Sequence, residues 1–279
     1  MGKYKFFSYA KINPFLEVYK KRTNGYHDIV TVMQTISLCD SIELITNTGK
    51  TEVIVEDFPK LCGESNIVYR TIESFFDLCK IGSHAKAVIK KNIPVAAGLG
   101  GGSSNAASVL VMLNRAYGNI AKEKDLMSLA AKLGADVPFF INGGCRLACG
   151  IGEKLTPLVT LPKCYLVISI GGTKASTGAM YNMLDEINDR KIVSEKDFIL
   201  SLADGDIRRI GQNTYNAFEA VCKTDMQIKE EFEKYGCVGS FLSGSGPSYV
   251  GIFEDKTDSA MVCEKLNSFG IKSYLSYPI

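Results

Sequence analysis

Residues 94–107 read PVAAGLGGGSSNAA, and four of the five positions 98–102 are glycine. On one side lies AKAVIKKNIPV, a predicted strand; on the other lies SNAASVLVMLNRAYG, a predicted helix ending at Gly118. Glycine permits positive φ and a close approach of backbone to ligand, so successive N–H groups can converge on one anion. A helix beginning near Ser103 adds the N–H groups of its first turn and the positive end of its dipole. Ser103 and Ser104 can cap that helix, donate to phosphate or ligate Mg²⁺. A flexible turn with serine caps is the plain alternative, but so many glycines ahead of a helix weaken it without compensation. No lysine follows in the GxxxxGK[ST] order of a Walker A loop, and no opening βαβ unit frames a dinucleotide GxGxxG. The stretch reads as a nucleotide-phosphate cradle of another kind.

Upstream, residues 4–20 alternate and are rich in Phe, Tyr and Val, which predicts a strand with Pro14 at an edge or bulge. Asn24-Gly25 signals a tight turn. IVTVMQTISLCDSIELIT predicts one or two further strands, and TEVIVE another. Ser65 is expected to cap a helix whose apolar stripe is Ile67, Val68, Ile72, Phe75, Phe76 and Cys79. Downstream, KEKDLMSLAAKLG predicts a helix stopping at Gly134, ADVPFF an apolar strand, and GGCRLACGIGEKLTPL a strand pair with glycine turns. The shift to TPLVTLPKCYLVIS, with Pro157 and Pro162, sets the expected lobe boundary, giving domains 1–157 and 158–279. Beyond it, strands over YLVISI, GSFLSG, PSYVGIF and KSYLSY mix with helices near 177–186, 195–203, 213–222, 225–235 and 257–268. Strands cluster in runs instead of alternating strictly with helices, so the class is α+β in two lobes.

A length of 279 residues favours two lobes sharing a cleft, and 46% apolar with 22% charged residues is the balance of a globular protein with a sizeable core. Lys plus Arg number 32 against 30 Asp plus Glu, a formal charge of +2, which disfavours a general nucleic-acid coat or a polybasic membrane binder. No run of about 18 apolar residues spans a membrane, and MGKYKFFSYAKINPF has no apolar h-region, so the cytoplasm is the expected compartment. Nine cysteines are scattered along the chain without a CxxC pair or a Cys/His zinc spacing, which predicts buried reduced thiols and no metal site. A catalytic cysteine is disfavoured because only His27 and His84 are present to serve as its base.

Two charged residues stand in apolar company. Asp136, in LGADVPFF, should be partly desolvated and thereby more basic, although a turn or N-cap aspartate fits the local sequence too. Lys11 interrupts an apolar strand in AKIN, where a snorkelling edge lysine is the plain alternative. With these in place, PVAAGLGGGSSNAA resembles the P-x-x-x-G-L-G-S-S-A-A loop of the GHMP kinases, named for galactose, homoserine, mevalonate and phosphomevalonate. Within that superfamily, SYAKINPFLEVYKKRTNGYHDIVTVMQ, ESNIVYR, LGADVPFFINGG and GIGEKLTPL look like the branch whose acceptor is 4-diphosphocytidyl-2-C-methyl-D-erythritol. The resemblance runs from residue 8 to about 160 and resumes at SGSGPS, residues 243–248.

The resemblance implies a two-lobed GHMP kinase fold, with an N-terminal ATP-binding lobe of ribosomal-protein-like α/β type and a C-terminal α+β substrate lobe. It implies ATP-dependent phosphorylation of the acceptor's C2 hydroxyl, giving the 2-phosphate, in non-mevalonate isoprenoid synthesis, with ATP and Mg²⁺. Asp136 falls on the family's base position, and Lys11 on that of the lysine beside it. Pro94, Val95, Ala96, Ala97, Gly98, Leu99, Gly100, Gly101, Gly102, Ser103 and Ser104 fall on the ATP loop, with Asn66 and Lys91 as further nucleotide contacts. Asn13, Tyr26 and His27 match substrate contacts that read cytidine, with Tyr181 as the opposite stacking face. Gly244 and Gly246 match a second loop, where the family more often shows G-T-G-A; Ser245 and Pro247 preserve the glycines. The expected partner is a small molecule bearing a cytidine diphosphate group, with neither nucleic acid nor membrane, and the expected state is a monomer or weak homodimer. Two other readings stay open. One is a sister kinase for homoserine or mevalonate, against which GYH and AKIN speak because those acceptors offer no base to stack on. The other is an RNA-binding module, poorly equipped at +2 without an Arg/Lys run.

Overall fold

The alternation at the start of the chain becomes one strand, β1 (Lys3–Lys21), which runs unbroken through Pro14. The next apolar run is also a single strand, β2 (His27–Thr46). The computed structural model describes residues 1–23, 25–172, 176–187, 190–222 and 225–279, so Asn24 of the expected turn lies outside the described residues. Two compact units interleave along the sequence. One comprises residues 1–10, 39–96 and 100–143; the other comprises 11–38, 97–99 and 144–279. Both long strands are divided between the units, so no single cut at residue 157 separates them.

The first unit holds β3 (Glu52–Val55), α1 (Ile67–Cys79) and β4 (Ala85–Lys90). β3 and β4 pair in parallel, Val53 opposite Ala87 and Val55 opposite Ile89, which requires a crossover that α1 supplies. The second half of β2 pairs antiparallel with the other edge of β4, Leu44 opposite Ala87. α1 buries Val68, Ile72, Phe75 and Phe76 at helical spacing, and full burial of Phe75 contributes about 1.5–3 kcal/mol. Its cap is Asn66, not the expected Ser65: the extended backbone at 66 aims the amide oxygen at the Val68 N–H. Then come α2 (Gly101–Ala116), α3 (Glu123–Leu133) and α4 (Val137–Asn142). Ala106 and Ala107 keep α2 slim, so it joins α1 and the sheet in one core with Leu110, Leu113 and Leu126. ADVPFF was expected as a strand and is the helix α4. Pro138 stands in its first turn, where a missing N–H costs nothing, and a short apolar run does not by itself distinguish a buried helix from a strand.

The second unit begins with the hairpin β5 (Cys145–Gly150) and β6 (Lys154–Leu158), β5 pairing with the first half of β2, Val32 opposite Leu147. There follow β7 (Tyr165–Ile170), α5 (Thr177–Asp185), α6 (Lys196–Asp204) and α7 (Ile207–Gln212). β8 (Tyr215–Asn216), α8 (Met226–Lys234), β9 (Gly239–Leu242), β10 (Ser248–Phe253), α9 (Lys256–Ser268) and β11 (Ser273–Ser276) complete it. An antiparallel sheet in the order β11-β7-β10-β9 carries a core of Val167, Phe232, Leu242, Tyr249 and Phe253, and β10 is buried at every position. The helix expected over 213–222 is absent. β8 pairs in parallel with Phe15 and Leu16 of β1, and a 3-10 turn follows at Ala217–Ala220. Asn216 explains the break: its amide oxygen accepts from Phe218 N while its Nδ2 donates to the carbonyls of Leu242 and Gly244.

Candidate active site

In the first unit the glycine-rich loop leaves β4 over a buried carboxylate. Asp40 is fully buried; its Oδ1 accepts from the backbone N–H of Asn92 at 2.7 Å and of Ile93 at 2.8 Å. Its Oδ2 accepts from Asn105 Nδ2 at 2.9 Å and from Lys91 Nζ, and Lys91 donates onward to Asn105 Oδ1 at 3.2 Å. One charge thus ties the end of β4 to the first turns of α2, and these bonds offset its loss of water. Lys91 lies directly against Gly101, where a Cβ would stand 3.1 Å from its Nζ. Ala96, Gly98 and Gly100 have φ of 57°, 79° and 70°, so every second residue reverses the handedness of the loop. A left-handed alanine is costly and marks a backbone held for a purpose. Gly100 is the N-cap of α2, no side chain caps the helix, and its first-turn N–H groups remain for an anion. Ser104 is buried and donates to the Tyr9 carbonyl at 2.6 Å, which leaves the half-buried Ser103 as the hydroxyl for a ligand.

In the second unit the centre of the loop meets β1. Lys11, 4% exposed, donates its backbone N–H to Leu99 O at 3.0 Å. Its Nζ donates to Gly98 O at 3.0 Å and to Asn13 Oδ1 at 2.5 Å. Asn13 Nδ2 donates in turn to Thr31 Oγ1, whose hydroxyl donates to Phe15 O, so the amide that receives the ammonium is oriented from behind. Gly98 O also accepts from Ser243 Oγ at 3.2 Å, and Ser248 Oγ donates to Ala97 O at 2.6 Å. A Cβ on Gly98 would overlap the Ser243 carbonyl, and one on Gly244 would stand 3.5 Å from Lys11 Nζ. Gly246 closes its own turn through its N–H to Ser243 O. Lys11, Asn13, Gly98 and Gly244 therefore come together.

Of the expected base-reading residues, Tyr26 and His27 sit where Arg22 closes the turn, with its N–H on Tyr26 O at 2.7 Å and its guanidinium on Asp28. That guanidinium holds the Asp28 carboxyl below the usual carboxylate range. Tyr26 is 61% exposed. His27 is buried; its ring stacks on Tyr181 with centroids 4.8 Å apart and planes 20° apart, and its Nε2 lies 2.8 Å from Asp185 Oδ1. Tyr181 also meets Phe218 edge-on. His27 and Tyr181 are thus partners of one another, and Tyr26 is the outward ring.

Asp136 is half-buried in the first unit at the N-cap position of α4, but its side chain makes no capping bond. Asn66 has both ends of its amide engaged, donating to Leu61 O and accepting from Val68 N, so the structure shows it as a helix cap. Asp40, Asn105, Thr31, Ser243 and Ser248 were missed from sequence. Asp40 carried the signal that singled out Lys11, a charge inside an apolar strand; the serines and Thr31 carried none, because their partners are remote in sequence.

The chemistry on offer is anion binding by backbone amides, with a buried ammonium against the loop. The description GHMP kinases N terminal domain matches residues 66–144, and GHMP kinases C terminal matches residues 198–272. The 4-diphosphocytidyl-2-C-methyl-D-erythritol kinase of Caldicellulosiruptor saccharolyticus is 36% identical over 270 residues, 94% of this chain and 92% of the relative. That of Clostridium botulinum is 37% identical over 264 residues, 92% of each. A crystal structure of 4-(cytidine 5'-diphospho)-2C-methyl-D-erythritol kinase matches with a TM-score of 0.82 at 28% identity, over 99% of both chains. Homoserine kinase from Cytophaga hutchinsonii shares the fold, with a TM-score of 0.77 at 17% identity over 99% of this chain and 95% of its own. With likeness of this extent spanning both units, the chain belongs to the 4-diphosphocytidyl-2-C-methyl-D-erythritol kinase family of the GHMP kinases.

Proposed function

We propose that this protein transfers the γ-phosphoryl group of ATP to the C2 hydroxyl of 4-diphosphocytidyl-2-C-methyl-D-erythritol, giving the 2-phosphate on the non-mevalonate route to isoprenoids. The observation that carries this reading is the seating of Lys11, buried with its ammonium on the Gly98 carbonyl and Asn13, at the motif lysine of the family. Asp136 takes the proton as the C2 oxygen attacks the γ-phosphorus and the bond to the β-phosphate oxygen breaks, releasing ADP. Lys11 lowers the cost of negative charge on the attacking oxygen. The loop of residues 94–104 holds the ATP phosphates on its free backbone N–H groups, with Asn66 and Lys91 as further nucleotide contacts. Asn13, Tyr26, His27, Tyr181, Gly244 and Gly246 hold the substrate.

Mg²⁺ fits this donor set as a companion of the nucleotide. Ser103 offers one neutral oxygen, and no group of three or more His, Cys, Asp or Glu stands ready for a metal among the described residues, so phosphates and water supply the other ligands. Held there, the ion would supply charge neutralisation for the nucleotide phosphates. The same reading has the protein in the cytoplasm as a monomer or weak homodimer without nucleic acid. Among the described residues no helix is long and apolar enough to cross a membrane.

ADP release measured with the cytidine-bearing acceptor, homoserine and mevalonate tests the reading. The first alone should support turnover, and Asp136→Asn should lower kcat about 10²–10⁴-fold. Near-wild-type turnover by Asp136→Asn removes the proposed base. Activity only on homoserine or mevalonate removes the substrate.

A further inference from the structure

Helix α5 carries Tyr181 and Asp185 four residues apart, so both lie on one face. Both meet the same imidazole: Tyr181 stacks on the His27 ring, and Asp185 Oδ1 lies 2.8 Å from His27 Nε2. The His27 side chain is 5% exposed, so water is a poor substitute for the carboxylate. Lys21 Nζ stands 3.9 Å from the other oxygen of Asp185. An ionised carboxylate only accepts hydrogen bonds, so Nε2 carries the proton in this pair and a neutral ring keeps its lone pair on Nδ1. A histidine without such a partner can offer either nitrogen as donor; this one is committed. Cytosine presents an amino donor at C4, whereas uracil presents a carbonyl acceptor. A ring nitrogen with a lone pair attracts the first and repels the second.

We propose that Asp185 is a positioning residue that sets the His27 tautomer, so that Nδ1 accepts from the exocyclic amino group of cytosine and helps select a cytidine over a uridine nucleotide. This rests on the reading of His27 as a substrate-binding residue. Asp185 acts through His27 and not on the reacting atoms. Its loss therefore shows in substrate KM and base choice, with little change in the KM for ATP.

The test has a spectroscopic arm and a kinetic arm. The chain has only two histidines, and His84 is exposed, so ¹⁵N imidazole spectra of wild type and His84→Gln assign His27 unambiguously. The wild type should show a protonated Nε2 and a bare Nδ1 near neutral pH, and Asp185→Ala should show mixed tautomers. Discrimination between the cytidine acceptor and its uridine analogue should fall about tenfold in Asp185→Ala. Asp185→Asn, whose amide oxygen still accepts from Nε2–H, should keep most of it. An imidazolium in the wild type, or wild-type tautomer and base choice in Asp185→Ala, overturns the proposal. A wild-type enzyme indifferent to the base overturns the reading of His27 itself, a failure visible before any variant is made.

Discussion

The carbonyl of Gly98 receives both Lys11 Nζ and Ser243 Oγ, while its α-carbon has no room for a methyl group and sits at a φ of 79°. Gly98→Ala should therefore lose stability twice, through left-handed strain and through overlap with the Ser243 carbonyl. The expected sum is about 2–4 kcal/mol in urea unfolding. A loss below about 1 kcal/mol would show that the loop relaxes freely around residue 98. The glycine itself was legible in the sequence, as one of a cluster before a helix. Its partner was not, since Ser243 lies 145 residues away and a serine in a glycine loop resembles any turn residue. Lys11 and Asp136 were visible as charges among apolar neighbours, but only the family motif gave them roles. The pairing of Asp185 with His27 left no local trace at all.

At the scale of elements, the join between β4 and α2 depends on Asp40, which accepts from the backbone N–H groups of Asn92 and Ile93, just beyond the first, and from Asn105 of the second. Asp40→Asn retains an acceptor for the backbone but leaves Lys91 buried without its counter-charge. The expected cost is about 3–5 kcal/mol, together with a raised KM for ATP. Adding Lys91→Met removes the stranded ammonium and should recover part of the stability; failure to recover any of it would place the loss in the backbone bonds instead. Elements with long periodic patterns, such as α1 and α2, were readable because burial repeats along one face. Short ones were not: α4 has only six residues, too few to separate a period of 3.6 from one of 2, and α7 is equally brief. The segment 213–222 has helical composition, yet the Asn216 side-chain amide donates to the carbonyls of Leu242 and Gly244, bonds that no local pattern announces.

For the molecule as a whole, all nine cysteines are free thiols; Cys145 and Cys164 are buried and Cys237 is half-buried. Burial pushes Cys145 and Cys164 up to about 12 and Cys237 up to about 11, against an ordinary 9.0. Above pH 9 the unfolded chain releases protons that the folded chain retains, so stability falls as pH rises, by roughly 1.4 kcal/mol per unit for each such thiol until its folded value is passed. Urea midpoints measured under reducing conditions at pH 8.5 and 10.5 should drop accordingly; an unchanged midpoint would mean that these thiols ionise in place. The expectation of buried thiols holds for Cys145 and Cys164, while the other seven cysteines are only half-buried. The interleaving of the two units was beyond the reach of composition, because a boundary inferred from proline and glycine marks where the chain turns and not which segments pack together. That interleaving orders events on the ribosome. The first unit has its full complement of residues once position 143 has emerged, whereas residues 11–38, made far earlier, belong with segments that end only at 279. Newborn chain is thus expected to hold two apolar strand segments in waiting, and arrested chains long enough for residue 143 to have emerged should bind chaperones through them.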